Sequence, residues 1–149
     1  MAGLYYEEFV EGRVYKHSVT RTVTETDNLL FTALTHNTQP LHLDEEFAKT
    51  TPYGTRLVNS IFTMGLVCGV HVTELTLGTT LGNLGFKDVT FPAPVRIGDT
   101  IRSETRIISK RESKKWPNAG IVTFEHTGYN QFNKVVATVI RAGLMLKRP

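Results

Sequence analysis

The stretch that decides the architecture is Leu57–Leu77, LVNSIFTMGLVCGVHVTELTL. Val58, Ile61, Phe62, Leu66, Cys68 and Val72, with the small Gly65 and Gly69 between them, fall around nearly the whole circumference of a helix. Such a helix is predicted to be buried and wrapped by a sheet, and the two glycines, four residues apart, would let another backbone approach closely. The mostly apolar part, Leu57–Val72, is broken by Asn59, Ser60, Thr63 and His71, so it is too short and too polar to span a bilayer.

Downstream of this segment the chain changes period. Alternating and β-branched patterns predict strands over Leu81–Phe91, Thr100–Ser109, Gly120–Asn130 and Lys134–Lys147, separated by turns. Upstream, Tyr5–Gly12 reads as a surface lead-in and Val14–Thr24 as a further strand. Thr24 and Thr26 are N-cap candidates, and Asp27 places negative charge in a first helical turn. Leu29, Leu30, Ala33 and Leu34 then keep helical spacing to about Thr35. A short helix is expected over Asp44–Lys49, followed by a turn at Thr51-Pro52-Tyr53-Gly54. One buried helix followed by four antiparallel strands, with another strand in front, is an α+β layout.

With 149 residues, 40% hydrophobic and 21% charged, residues 1–149 are expected to form one ordinary globular domain. That composition excludes a disordered chain. The net charge of +3 is spread out except at Lys110, Arg111, Lys114 and Lys115, beside Trp116 and Pro117. This cluster reads as a solvated hairpin tip in preference to a nucleic-acid surface, so neither nucleic acid nor membrane is an expected partner, and a mildly basic surface suits an anionic ligand. The single Cys68 can form no internal disulfide and the N-terminus is not signal-like, so a reducing cytoplasm is the expected compartment. No His, Cys and carboxylate spacing suggests a metal, and Gly78–Gly85 lacks the order of a phosphate-binding loop.

Chemistry is concentrated in Leu34–Phe47, LTHNTQPLHLDEEF. Asn37, Gln39 and His42 are too polar to fill an apolar face, and Pro40 is expected to stop the preceding helix. His42 follows this stiffened turn, and an imidazole can hold or release a proton near neutrality. Its other reading is a helix cap or a partner for a buried carbonyl. Asp44 and Glu45 are candidate carboxylates, although acids in a first helical turn are also expected for helix stability. His17, His71 and His126 lie in strand or helix patterns and read as structural.

The run TxNTQPLHLDxEFA, Thr35–Ala48, resembles the hydratase motif of the MaoC-like dehydratases, the (R)-specific enoyl-CoA hydratases of the hotdog fold. A second block, FKDVTFPAPVRIGDTIRSE at Phe86–Glu104, resembles the family's FxxPVxxGDxLxxE segment through Phe91, Pro94, Val95, Gly98 and Asp99. The resemblance implies a hotdog fold, a curved antiparallel sheet wrapped around a long central helix. It places His42 on the family's catalytic histidine and Asn37 on its catalytic aspartate. Gln39 stands where asparagine is usual, and Asn59-Ser60 stand where His-Gly is usual. These departures resemble the subgroup acting on branched C5 dicarboxylyl-CoA thioesters, the mesaconyl-CoA and itaconyl-CoA hydratases and β-methylmalyl-CoA dehydratases.

The implied activity is reversible hydration of an α,β-unsaturated acyl-CoA thioester, with coenzyme A as part of the substrate and no redox cofactor. An amide cannot accept the proton that the missing aspartate would take. His42 is therefore expected to act alone as acid and base, with Asn37 orienting water. The backbone N–H of Ser60, at the start of the central helix, is the candidate oxyanion donor. Arg56 is a candidate clamp for a substrate carboxylate, and His36, Gln39 and Asn59 are candidate pocket residues. The hotdog fold also hosts thioesterases, and the lost aspartate admits a non-catalytic acyl-CoA-binding subunit. A homodimer or higher homo-oligomer is expected, because a lone hotdog leaves a sheet edge and one end of its ligand channel open.

Overall fold

The computed structural model describes residues 3–149. Five strands, β1 (Val14–Thr22), β2 (Thr80–Thr90), β3 (Thr100–Glu112), β4 (Ala119–Tyr129) and β5 (Val135–Leu146), form one antiparallel sheet in the order β1-β3-β4-β5-β2. Between β1 and β2 the chain makes four α-helices: α1 (Glu25–Leu34), α2 (Pro40–Leu43), α3 (Glu45–Lys49) and α4 (Ser60–Gly69). Helix α4 packs across β3, β4 and β5, which is the α+β hotdog arrangement. The strands run within a few residues of their expected bounds, and period-two burial is strong in the central β3 and β4: Ile101, Ser103, Thr105 and Ile107 of β3 all point inward, whereas the edge strands β1 and β2 are exposed at most positions.

The central helix differs from its expected form in extent and in burial. Leu57–Asn59 is extended, since Val58 N–H donates to the Val95 carbonyl at 2.9 Å and Leu57 bridges to Arg96. The helix begins only at Ser60, and beyond Gly69 the chain turns into a separate π-helical segment, Val72–Thr76. Within one chain only one side of α4 is covered. Thr63 and Val67 are buried, whereas Ile61 is 53% exposed and a Cβ on Gly65 or Gly69 would meet nothing within 4 Å. The close approach is made instead through Gly128 of β4, where a Cβ would collide with Val67. Around that contact Val23, Val58, Ala93, Val95, Ile101, Val136 and Ala137 form one apolar cluster, and Phe9, Ile107, Val122, Phe124 and Met145 belong to another.

Helix α1 also faces the other way from its leucine pattern. Its buried residues are Asn28 and Thr32, while Leu30 and Leu34 are exposed, Leu34 by 72%. Thr24 caps it as expected, in a reciprocal box with Asp27. Its end is not set by Pro40. His36 takes a left-handed conformation (φ 55°), its N–H donates to the Ala33 carbonyl at 3.3 Å, and Asn37 N–H donates to the Thr32 carbonyl at 3.0 Å. That pair of bonds is a Schellman ending. Pro40, free of the need for a backbone donor, opens the one-turn helix α2 as its first residue.

Candidate active site

Helix α2 holds His42 on a single turn, and the imidazole Nδ1–H donates to the Leu57 carbonyl at 2.9 Å. A carbonyl accepts only from a protonated nitrogen, so Nε2 is the ring atom left to take a proton. It has no partner among the described residues. The ring forms part of the wall of a cavity of about 420 Å³, a volume in the ordinary range for a small-molecule site. Leu41, Leu57, Val58, Val95 and Val136 supply apolar lining, and Tyr53, Phe91 and Pro94 add to it.

The start of α4 lines the same cavity. Asn59 is the N-cap, its side-chain oxygen accepting from Ile61 N–H at 2.9 Å, which makes Ser60 the first helical residue. No acceptor for the Ser60 N–H occurs among the described residues. An uncommitted donor at a helix start carries the positive end of the helix dipole and suits an oxygen on which negative charge develops.

A residue that the sequence did not single out ties these two parts together. Asn28 of α1 is fully buried, and its amide nitrogen donates to the carbonyls of His42 (3.1 Å) and Leu57 (3.2 Å). Its side-chain oxygen accepts from the N–H of Asn59 at 2.9 Å. One side chain thus fixes the backbone of the imidazole, the carbonyl that sets its tautomer, and the residue that caps α4. An asparagine in mid-helix, where its propensity is poor, was the available signal.

The other candidates lie apart from this wall. Asn37 is half-buried, with its side-chain oxygen accepting from Gln39 N–H at 3.2 Å, and Gln39 is exposed. His36 is exposed and serves as the terminator of α1. Arg56 is not a free clamp: it is paired with Glu45 and with Glu25, each at 2.8 Å, so its charge is already met. The Arg56 guanidinium beside Glu45 in turn holds that carboxyl below its usual range. Asp44 caps α3 by accepting from Phe47 N–H at 3.0 Å. In the second motif block, Phe91, Pro94 and Val95 line the cavity, whereas Gly98 (φ 96°) and Asp99 build the turn into β3. Asp99 accepts from Arg96 N–H and from the Gln131 amide, both at 2.8 Å.

The family model described as MaoC like domain matches residues 8–130. The chain belongs to the MaoC-like domain family. This MaoC-like chain is similar to the (R)-specific enoyl-CoA hydratase of Rhodospirillum rubrum, at 34% identity over 83% of this chain and 79% of that protein. It is also similar to β-methylmalyl-CoA dehydratase of Chloroflexus aurantiacus, at 30% identity over 98% of this chain but only 41% of that protein. Among solved structures, one described as a monoamine oxidase regulatory protein from Archaeoglobus fulgius superposes with a TM-score of 0.88 at 31% identity, covering 100% of this chain and 98% of that one. No helix among the described residues of the MaoC-like chain is long and apolar enough to cross a membrane.

Proposed function

We propose that this MaoC-like chain catalyses the reversible addition of water to an α,β-unsaturated acyl-CoA thioester. The observation that carries the reading is that the His42 ring and the N-terminus of α4 line one cavity within one chain. Water attacks the β carbon as Nε2 of His42 takes its proton, the π electrons move toward the thioester carbonyl, and the Ser60 N–H holds the oxygen that gains charge. The imidazolium then returns a proton to the α carbon on the same face. The C–O and C–H bonds formed replace the π bond, and no electron acceptor is needed. Asn37, outside the cavity wall, is proposed to act on the water that approaches His42. Neither aspartate nor glutamate lines the cavity among the described residues, which favours hydration over a thioesterase that relies on a carboxylate.

The proposed substrates are short branched or C5 dicarboxylic thioesters of the mesaconyl-CoA or itaconyl-CoA type. Support comes from the NTQPLH run and from the similarity to β-methylmalyl-CoA dehydratase along nearly the whole chain. We propose further that two copies pair through β2. It ends the sheet and leaves Leu81, Leu84 and Phe86 exposed, and Phe86 shares a cavity wall with Cys68 of α4. The test is to incubate the purified protein with mesaconyl-CoA, itaconyl-CoA and crotonyl-CoA and weigh the products. Gain of one water, greatest for a C5 substrate, is the expected outcome. Release of free coenzyme A would identify a thioesterase, and tight binding without turnover a non-catalytic subunit.

A further inference from the structure

At the other end of α4 lies a second cavity of about 420 Å³, whose lining includes Cys68, His71, Thr76, Asn83 and Arg141 with the apolar Val72 and Phe86. Arg141 of β5 is only 7% exposed, and no carboxylate pairs with it among the described residues. Its acceptors are imidazoles: Nε–H donates to His126 Nε2 and Nη2–H to His71 Nε2, each at 2.9 Å. His126, thereby protonated on Nδ1, donates to Thr105 Oγ1 at 2.8 Å, and the chain continues through His17 to Glu74. The ring of His71 stacks on that of His126 at 4.6 Å.

This arrangement leaves the cavity wall with one fixed charge and a surplus of donors. Burial, the Arg141 charge and His17 push His71 down to about 3, so it stays neutral, and burial pushes the Cys68 thiol up to about 11. A guanidinium has five N–H groups and remains ionised in proteins. Two of them are used on the imidazoles, and the other three meet no acceptor among the described residues. The guanidinium also lies over the Phe124 ring, 4.8 Å from its centroid, but that contact takes up none of the N–H groups, which point along the guanidinium plane. A buried cation in that state suits an anion whose oxygens match the planar fork.

We propose that the Arg141 cavity is a binding site for a small oxyanion bearing a carboxylate or phosphate group, separate from the His42 cavity of the same chain. The inference does not rest on the hydratase reading. Val136 lines the first cavity and Arg141 the second, five residues apart on β5, which is roughly 16 Å of strand. The four C–C bonds of a five-carbon acyl chain, at about 1.5 Å each, reach no more than about 6 Å. The anion is therefore not the far end of a C5 substrate held at His42 of the same chain.

The full chain is titrated with sodium malonate and, separately, with inorganic phosphate at constant ionic strength, and the unfolding midpoint is followed. At least one is expected to raise Tm saturably, by about 3–6 °C at ten times its Kd; the stronger of the two identifies the group preferred. Asn83→Trp, which narrows the cavity at its rim, and Arg141→Met, each compared with the parent at the same oligomeric state, are both expected to abolish the shift. Should Arg141→Met fail to fold, Asn83→Trp alone decides. No saturable shift with either anion would overturn the proposal, as would an undiminished shift in Asn83→Trp. A crystal structure in which a carboxylate of a second copy fills the cavity would also overturn it.

Discussion

His42→Ala is expected to lower kcat for enoyl-CoA hydration by about 10²–10⁴-fold, the range typical of losing a positioned general acid–base. At 1.36 kcal/mol per factor of ten this is about 3–5 kcal/mol of transition-state stabilisation. The stability of the fold should change far less. The substitution removes one hydrogen bond, from Nδ1–H to the Leu57 carbonyl, and that carbonyl keeps the Asn28 amide as a donor. A net loss of about 1 kcal/mol follows, a shift of roughly 2–4 °C in Tm for a chain of this size. Steady-state kinetics and a thermal melt on the same sample separate the two effects. Retention of full turnover by the alanine variant would remove His42 from the reaction and return it to a purely structural part.

Ser60→Pro is expected to lower kcat by about 10²–10³-fold, the usual effect of removing one oxyanion donor. The substitution is informative because the helix tolerates it. Ser60 is the first residue of α4, where proline is favoured and where the missing N–H bonds no intrahelical carbonyl. The preceding residue, Asn59, has ψ 126°, outside the α region that a following proline disfavours. Tm should therefore stay close to that of the parent chain while turnover falls. Ser60→Ala, which keeps the N–H and loses only the hydroxyl, is expected to turn over within about threefold of the parent. Equal loss in the two variants would assign the effect to the side chain.

The architecture was legible in the sequence wherever burial follows local periodicity. Strands β3 and β4 alternate cleanly, and Thr24 with Asp27 marks the start of α1 by side-chain chemistry alone. What failed did so because distant partners overrule local pattern. Leu57–Asn59 has helical composition but pairs with Val95 and Arg96 as extended chain. The leucines of α1 lie outward because the side facing the protein is occupied by Asn28 and Thr32.

The site divides in the same way. His42 and Ser60 could be named from the motifs and stand on one cavity, whereas Arg56 could not be judged without seeing Glu25 and Glu45 on either side of it. Asn28 was invisible for a related reason. Its three partners are backbone groups 14, 29 and 31 residues away, and nothing in a sequence records where a carbonyl will point. Arg141 is likewise an arginine in an otherwise apolar strand until His71 and His126 are seen around it.

The proposed reaction requires a thioester lying between one imidazole and one helix start. A crystal structure of the protein with a bound 3-hydroxyacyl-CoA, the hydrated product, examines that arrangement directly. The prediction is a thioester oxygen within about 3 Å of the Ser60 nitrogen and a β-hydroxyl within about 3 Å of His42 Nε2 in the same cavity. A product whose carbonyl oxygen lies away from the start of α4, or whose hydroxyl is met by some other acid or base, would contradict it.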